Sequence, residues 1–127
     1  MEKNLLADNC ENTSFNFYPI FRRITRNLNA GLLLSLFFHW TTNGEATEEG
    51  WLCKSLSDMQ NHLAMGKNPI NNAKMKLIQL GLIEKKYAGG PPPRLIFRIN
   101  SEKIAISITN FIENNKFASE QTSSKTL

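Results

Sequence analysis

The chain has 127 residues, 41% of them apolar, and a net charge of +4. This length suits one small domain with a single modest core. The longest apolar run, Leu32 to Phe38, is far shorter than the roughly 18 residues that a membrane span needs, so we expect no membrane insertion. The first residues, Met1 to Asn16, are polar and acidic, which argues against a secretory signal.

Cysteine and histidine usage predicts neither a disulfide nor a metal site. Cys10 and Cys53 lie far apart in sequence, and neither has a second cysteine at metal-ligand spacing, as in a protein with two free thiols in a reducing cytoplasm. His39 and His62 are isolated and more typical of core or boundary positions than of metal ligands. We therefore expect a cytoplasmic protein without a metal or other cofactor.

The positive charge is concentrated in the second half of the chain. From Gly50 to Asn100 there are eight basic and two acidic residues, a net charge of +6, whereas residues 1–49 sum to −2 and residues 101–127 to zero. A domain that approaches nucleic-acid phosphates needs such a bias, because the release of counterions supplies much of its affinity. The alternative is that these lysines only keep a small domain soluble.

The first part of the chain predicts two helices. After a polar arm, residues 1–14, which we expect to be flexible, apolar residues predict a strand-like segment and a short helix ending near Asn27. Asn29 is a suitable N-cap for a second helix, Ala30 to Trp40, which is apolar nearly all round and therefore buried. Three arginines on the polar side of the first helix face either solvent or a DNA backbone: Arg22, Arg23 and Arg26.

The middle of the chain predicts a helix-turn-helix. An acidic surface loop, residues 41–50, leads into the apolar residues 51–53, a short strand or a segment that enters the core. Ser55 is predicted to cap a helix, with Asp58 as its capping-box partner. After a tight turn, Asn68, followed by a proline, is predicted to cap a second helix.

The second helix of this pair has an apolar and a polar side. At about 100° per residue, its core face comprises Ile70, Ala73, Leu77 and Leu80. The opposite side presents Asn and Gln, which can form paired hydrogen bonds with adenine, and Lys, which can reach guanine or phosphate. In a helix-turn-helix this side enters the major groove. The candidate DNA-binding residues of this helix are Lys67, Asn68, Asn71, Asn72, Lys74, Met75, Lys76 and Gln79.

Alternating apolar residues predict a β-hairpin, or wing, after this helix. Its strands run from Ile83 to Tyr87 and from Leu95 to Ile99, around the turn Ala88 to Pro93. Two glycines permit close backbone approach, and three prolines stiffen the turn so that Arg94 is presented at a low ordering cost. The alternative for this turn is a docking motif for an aromatic-lined groove. The candidate DNA-binding residues of the wing are Lys85, Lys86, Arg94 and Arg98.

The end of the chain predicts one more helix. Ser101 can cap a helix from Glu102 to about Asn115, whose apolar stripe packs on the core or, less commonly, against its copy in a homodimer. Residues 117–127 are expected to be a disordered tail. The predicted fold is therefore α+β, a winged helix-turn-helix domain at 15–100, mostly helical with a two- or three-stranded wing, and an added C-terminal helix at 101–116.

Five motifs between Asn29 and Lys103 carry a resemblance to a known group of proteins. They are Asn29-Ala30 with Leu32 to Ser35 and Trp40, Gly50-Trp51 with Lys54-Ser55, Ala73 to Leu77, Leu80 to Glu84, and Gly90 to Arg94 running into Phe97 to Asn100. This segment resembles the winged-helix modules of phage and plasmid replication-initiation proteins, also described as replisome organisers. The resemblance implies binding to origin or operator DNA in a bacterial or phage-infected cell. By position, the DNA-binding residues that it implies are Asn71, Asn72, Lys74, Met75, Lys76, Lys85, Lys86 and Arg94.

The sequence supports two functions of different classes. It lacks a nucleophile paired with a base, a phosphate-cradling Gly-rich loop and a pair of carboxylates at catalytic spacing, so we predict that the protein is not an enzyme. The first hypothesis is a double-stranded DNA-binding protein that acts in replication initiation or transcriptional repression. The alternative is a phage- or plasmid-borne protein that inhibits a host complex, such as a defence nuclease, using Met75, Ile78 and the acidic loop.

Overall fold

The computed structural model describes the backbone of residues 14–126 and the side chains of residues 14–115. Within this range the fold is α+β, with five helices and a two-stranded antiparallel sheet. The elements are α1 Pro19–Thr25, α2 Leu28–Thr42, α3 Leu56–Leu63, α4 Lys67–Gln79, β1 Ile83–Ala88, β2 Arg94–Ile99 and α5 Ser101–Thr126. Cys10 and the arm predicted to be flexible, residues 1–14, lie outside the described residues except for Ser14.

Helix α2 is the centre of the hydrophobic core. Leu33, Leu34 and Phe37 have no exposed surface, and Trp40 is almost completely buried. Helices α1, α3 and α4 and strand β2 all pack against this helix. Because neighbours cover it on several sides, its sequence shows no polar stripe, and the prediction of a buried central helix is confirmed.

The residue that caps α2 is Asn27, and the prediction of Asn29 as the cap is wrong. The Asn27 side-chain oxygen accepts a hydrogen bond from the backbone N–H of Ala30 at 2.9 Å. The turn after α1 places Asn27 there, because Arg26 adopts a left-handed conformation and the buried Thr25 hydroxyl donates to the carbonyl of Phe21. The geometry of this turn, rather than the identity of the capping residue, decides where α2 begins.

Helix α4 also begins earlier than predicted, so Asn68 is not its cap. The helix starts at Lys67, after the extended residue Gly66, whose carbonyl accepts a hydrogen bond from the backbone N–H of Ile70. Asn68 therefore lies within the first turn and is exposed. Pro69 is tolerated in the same turn, since the first backbone N–H groups of a helix have no partner within the helix.

Helix α3 has the capping box that the sequence predicts. The Ser55 hydroxyl oxygen accepts from the backbone N–H of Asp58 at 3.1 Å, and the Asp58 carboxylate accepts from the backbone N–H of Ser55 at 2.9 Å. This second hydrogen bond is the main reason why the pKa of Asp58 lies below its ordinary value. The start of α3 is therefore fixed by local chemistry.

The hairpin formed by β1 and β2 matches the predicted strands and turn. Its register pairs Ile83 with Ile99 and Ala88 with Arg94. Leu52 adds a single bridge to Phe97, with N–O distances of 2.6 and 3.3 Å, so the segment 51–53 contributes one bridge in place of a full third strand. The Phe97 ring also stacks on Phe37 at 5.7 Å, which anchors the hairpin to α2.

Helix α5 is capped by Asn100, and the prediction of Ser101 as its cap is wrong. The side-chain oxygen of Asn100 accepts from the backbone N–H of Lys103 at 3.1 Å, so the first turn begins one residue earlier. The helix extends to Thr126, beyond the predicted end near Asn115 and into the segment 117–127 that was expected to be disordered. Neither glycine nor proline follows residue 100 to interrupt it.

The apolar stripe of α5 packs on the domain. Ile104 belongs to the buried core, and Ile108 packs against that core. The guanidinium of Arg23 on α1 lies 5.9 Å from the centre of the Phe111 ring. Among the described residues, none of the helices has the length and apolarity that a membrane crossing requires.

Candidate functional site

The polar side of α4 forms a stripe that faces away from the core. Its members are the exposed residues Asn68, Asn72, Met75 and Gln79, which we call the outward stripe. They follow one another at spacings of four, three and four residues, and therefore lie on one line along the helix. Of the predicted core face, Ile70, Ala73 and Leu77 are buried, which confirms that the helix has two sides. The fourth predicted member, Leu80, follows the last helical residue as the C-cap and is half-buried.

Lysines lie on the flanks of the outward stripe rather than on it. Lys74 and Lys76 are half-buried and occupy opposite sides, at about 120° and 80° from Asn68 around the helix axis. Lys67 lies on the flank of Lys74 at the start of the helix. The most exposed line of α4 therefore carries no charge, and the positive charge borders it.

A cleft of about 310 Å³ separates α4 from the hairpin. Its lining residues are Asn71, Lys74, Met75, Ile78, Lys85, Leu95 and Phe97. The Lys74 ammonium lies 5.2 Å from the centre of the Phe97 ring, a cation–π contact. Burial, and secondarily the positive charge of Lys85, hold the pKa of Lys74 below its ordinary value. An anion placed between these two lysines would therefore be favoured by both.

The acidic residue of the hairpin is neutralised within the hairpin itself. Arg98 pairs with Glu84 at 2.6 Å, across the two strands. Helix α4 contains no acidic residue. Within the described part of the chain, six basic residues of α4 and the hairpin take part in no side-chain ion pair: Lys67, Lys74, Lys76, Lys85, Lys86 and Arg94.

Two of the predicted DNA-binding residues are engaged by an aromatic ring. Trp51 is contacted by the Lys86 ammonium at 4.3 Å and by the Arg98 guanidinium at 4.4 Å from the ring centre. Arg98 also donates a hydrogen bond to the carbonyl of Glu49 at 3.2 Å. We call Trp51, Lys86 and Arg98 the Trp51 clamp. It attaches the hairpin to the segment 51–53, on the hairpin face opposite Lys85.

Six of the twelve predicted site residues therefore fall into two groups. Asn71, Lys74, Met75 and Lys85 meet in the cleft. Lys86 and Arg98 lie on the other face of the hairpin, in the Trp51 clamp. The remaining predicted residues are exposed or half-buried around these two places: Lys67, Asn68, Asn72, Lys76, Gln79 and Arg94.

Tyr87 is a candidate contact residue that the sequence analysis did not select. It is 68% exposed, pairs with Leu95, and shares the hairpin face of Lys85. Tyr is enriched at interfaces, because its ring is apolar and its hydroxyl group can form a hydrogen bond. The signal in the sequence was an aromatic residue at the end of a strand, one position before the turn.

Other charged groups lie apart from the cleft. Glu45 of the acidic loop pairs with Lys54 at 2.7 Å, and this hydrogen bond is the main reason why the pKa of Glu45 is lowered. Arg22 and Arg26 are exposed on and after α1. Cys53 is an exposed free thiol. No three His, Cys, Asp or Glu side chains among the described residues lie close enough together to hold a metal ion.

Comparisons of the chain with protein-family models, with curated proteins and with solved structures found no match.

Proposed function

We propose that this protein is a non-enzymatic winged helix-turn-helix that binds double-stranded DNA in the cytoplasm, in replication initiation or transcriptional repression. The observation that carries the proposal is the cleft. It sets the exposed polar side of α4 beside a β-hairpin, with Lys74 on one wall and Lys85 on the other. A helix that enters the major groove needs a second element to grip the adjacent backbone, and this arrangement supplies one.

The order of the elements supports the proposal. The capped helix α3 and helix α4 are separated by a three-residue turn, 64–66, and the hairpin follows α4 after three further residues. In such an arrangement the second helix lies in the major groove and the first crosses the backbone. The resemblance to replication-initiation modules rests on the same segment.

The charges support separate roles for the residues of the two elements. We assign phosphate contacts to the five basic residues that lie outside both the ion pairs and the Trp51 clamp, Lys67, Lys74, Lys76, Lys85 and Arg94. We assign base contacts to the exposed polar residues of α4. Lys86 and Arg98 then act as positioning residues, because their cationic groups contact Trp51.

The test is the salt dependence of binding to labelled duplexes of mixed sequence, measured by fluorescence anisotropy. Replacing one phosphate ligand on each element, in Lys76→Ala/Arg94→Ala, is expected to weaken binding to every duplex. The slope of log affinity against log salt should fall in magnitude by about 2, since each phosphate contact contributes about 0.9. The matched control is Arg22→Gln, an exposed arginine of α1, which should leave the slope unchanged.

An unchanged slope in Lys76→Ala/Arg94→Ala would contradict the proposal, as would the absence of salt-sensitive binding by the unaltered protein. If Arg22→Gln also reduces the slope, α1 contributes to the DNA-binding surface and the assignment of phosphate contacts must be extended. This measurement therefore also decides the role of the α1 arginines.

A second candidate function is binding and inhibition of a host protein complex by a phage- or plasmid-borne protein. The favouring observation is the exposed apolar surface at the cleft, where Met75 is 58% exposed and lies near Ile78 and Leu95. Such surfaces often mark protein contacts. This candidate predicts no salt-sensitive duplex binding and a protein partner that is retained from nuclease-treated lysate but lost in Met75→Glu.

A further inference from the structure

The outward stripe of α4 has an unusual chemical character for the line of a helix that enters a DNA groove. Three of its four side chains are carboxamides, the fourth is a thioether, and none carries a charge. The stripe spans eleven residue steps, which is about 16 Å at 1.5 Å per residue. That length corresponds to about four or five base-pair steps of 3.4 Å.

Each type of side chain on the stripe fits one member of an A·T pair. A carboxamide can donate to N7 of adenine and accept from its N6 amino group, and an apolar side chain can pack on the methyl group of thymine. Guanine is most often contacted by Arg or Lys. Helix α4 has no arginine, and its lysines lie on the flanks of the stripe.

The position of Lys74 separates it further from the base edges. Its ammonium is held over the Phe97 ring at 5.2 Å, on the side of the hairpin. Lys74 is thus directed toward the cleft and toward the backbone strand that the hairpin would grip. Base contacts near the start of such a helix would come mainly from Asn68, Asn72 and Met75, since the N-terminal residues lie nearest the base edges.

We propose that the outward stripe selects a short run of A·T base pairs in the major groove. The carboxamides of Asn68 and Asn72 bind adenine, and the Met75 side chain packs on a thymine methyl group. This inference rests on the proposed function, because it requires that α4 enters duplex DNA. The ligand is double-stranded DNA with an A·T-rich core, and the sequence that flanks this core can vary.

The experiment compares the unaltered protein on duplexes of equal length and equal flanks. The cores are A·T in alternating and in homopolymeric order, and G·C in the same two orders, because homopolymeric A·T has a distinct shape. Two further A·T duplexes carry single changes in the major groove: uracil in place of thymine, which removes only the methyl group, and 7-deazaadenine, which removes only the N7 acceptor. Binding is measured by competition at one fixed salt concentration.

We expect both A·T cores to bind about tenfold or more tightly than both G·C cores, which is the discrimination of one good paired contact. The 7-deazaadenine duplex should lose most of that advantage, and the uracil duplex a smaller part. In Asn72→Ala the preference should shrink with little change in affinity for the G·C cores. In Met75→Ala sensitivity to uracil should disappear. Lys76→Ala is the matched control, and it should weaken binding to all cores alike.

The outcomes distinguish this inference from the function on which it rests. Equal, salt-sensitive binding to A·T and G·C cores would overturn the inference and leave the proposed function standing. An A·T preference that is insensitive to both base changes would also overturn it, since recognition would then come from the minor groove or from DNA shape. If no duplex is bound at all, both proposals fail.

Discussion

At the scale of single residues, Arg98 shows that a charged side chain can hold the hairpin in position instead of binding a partner molecule. Arg98 satisfies Glu84, covers the Trp51 ring and donates to the Glu49 carbonyl. The contacts with Trp51 and Glu49 tie β2 to the segment before α3, and the contact with Glu84 joins the two strands. Sequence alternation identified Arg98 as a polar residue of β2, but its three partners are 14, 47 and 49 positions earlier in the chain. The contacts of Arg98 could therefore not be predicted from the local sequence pattern.

The first prediction concerns Arg98. Arg98→Met keeps a long apolar stem but removes the guanidinium, and it should lower the free energy of unfolding by about 1 kcal/mol, from a partly exposed ion pair and a cation–π contact that solvent screens. Urea denaturation measures the change. Glu84→Gln is the control, because it leaves Arg98 stacked on Trp51, and it should cost less.

The affinity of Arg98→Met for DNA provides the decisive comparison. We expect it to change less than that of Lys85→Ala. Wild-type stability together with a loss of affinity equal to that of Lys85→Ala would mean that Arg98 contacts DNA and that the Trp51 clamp does not hold it.

At the scale of elements, the types of helix and strand were predictable, whereas the starts of α2, α4 and α5 were not. The capping box of α3 was predicted correctly because both partners, Ser55 and Asp58, are local. The caps of α2, α4 and α5 were misassigned by one or two residues, since each start has neighbouring residues able to cap. Asn27 is the cap of α2 because the turn after α1 places it there, and that turn depends on the packing of α1 against α2.

The second prediction is a pH dependence of the α3 cap. The folded pKa of Asp58 is lowered, so its ionised form stabilises the fold above the ordinary Asp pKa of about 3.9, and the contribution is lost as pH falls below that value. Asp58→Ala should therefore destabilise the protein by about 1 kcal/mol near neutral pH. The difference from the wild type, measured by urea denaturation, should shrink near pH 3. A difference that stays constant over this range would show that charge plays no part in the cap.

The third prediction concerns the crossing of α1 and α2 at Gly31. A Cβ atom added to Gly31 would lie 2.7 Å from the Cα atom and 2.8 Å from the backbone N of Arg22. Alanine favours a helix by about 1 kcal/mol over glycine, but here the two helices must move apart. We expect Gly31→Ala to be destabilising by about 1–3 kcal/mol, the usual cost of overpacking.

The control for Gly31→Ala is Gly66→Ala, where the nearest atom to the added Cβ is 3.8 Å away. Calorimetric melting temperatures of the two variants make the comparison. If Gly31→Ala is as stable as the wild type or more stable, the close crossing of α1 and α2 is absent in solution.

At the scale of the whole molecule, the structure shows where the excess positive charge of the sequence lies. The net charge of +6 between Gly50 and Asn100 was visible from composition alone. Composition could not predict which of these charged side chains would contact Trp51 and which would line the cleft. Packing turns Lys86 and Arg98 toward Trp51 and leaves Lys74 and Lys85 at the cleft. The sequence therefore predicts which elements form the candidate site. The fold determines which side chains of those elements reach it.

The last prediction concerns the oligomeric state of the protein. The sequence left α5 free to pack on its own domain or on a second copy, and the structure has Ile104 in the core and Ile108 against it. Its exposed apolar residues with described side chains, Ile106 and Ile112, lie about 120° apart around the helix. They do not form the continuous stripe that a helix–helix dimer needs. We expect a monomer of 14.4 kDa by light scattering, in Ile112→Glu as in the wild type.

If the protein binds DNA as we propose, a monomer would set the symmetry of its DNA site. Dimeric helix-turn-helix proteins bind two half-sites related by a two-fold axis, whereas a single α4 would contact one uninterrupted site. Selection from a random duplex pool should therefore return one asymmetric motif bound by one chain. A palindromic motif, together with a mass of twice the chain that Ile112→Glu returns to one, would show instead that α5 forms an interface. The DNA-binding unit would then be two copies of α4, spaced by about one helical turn of the duplex.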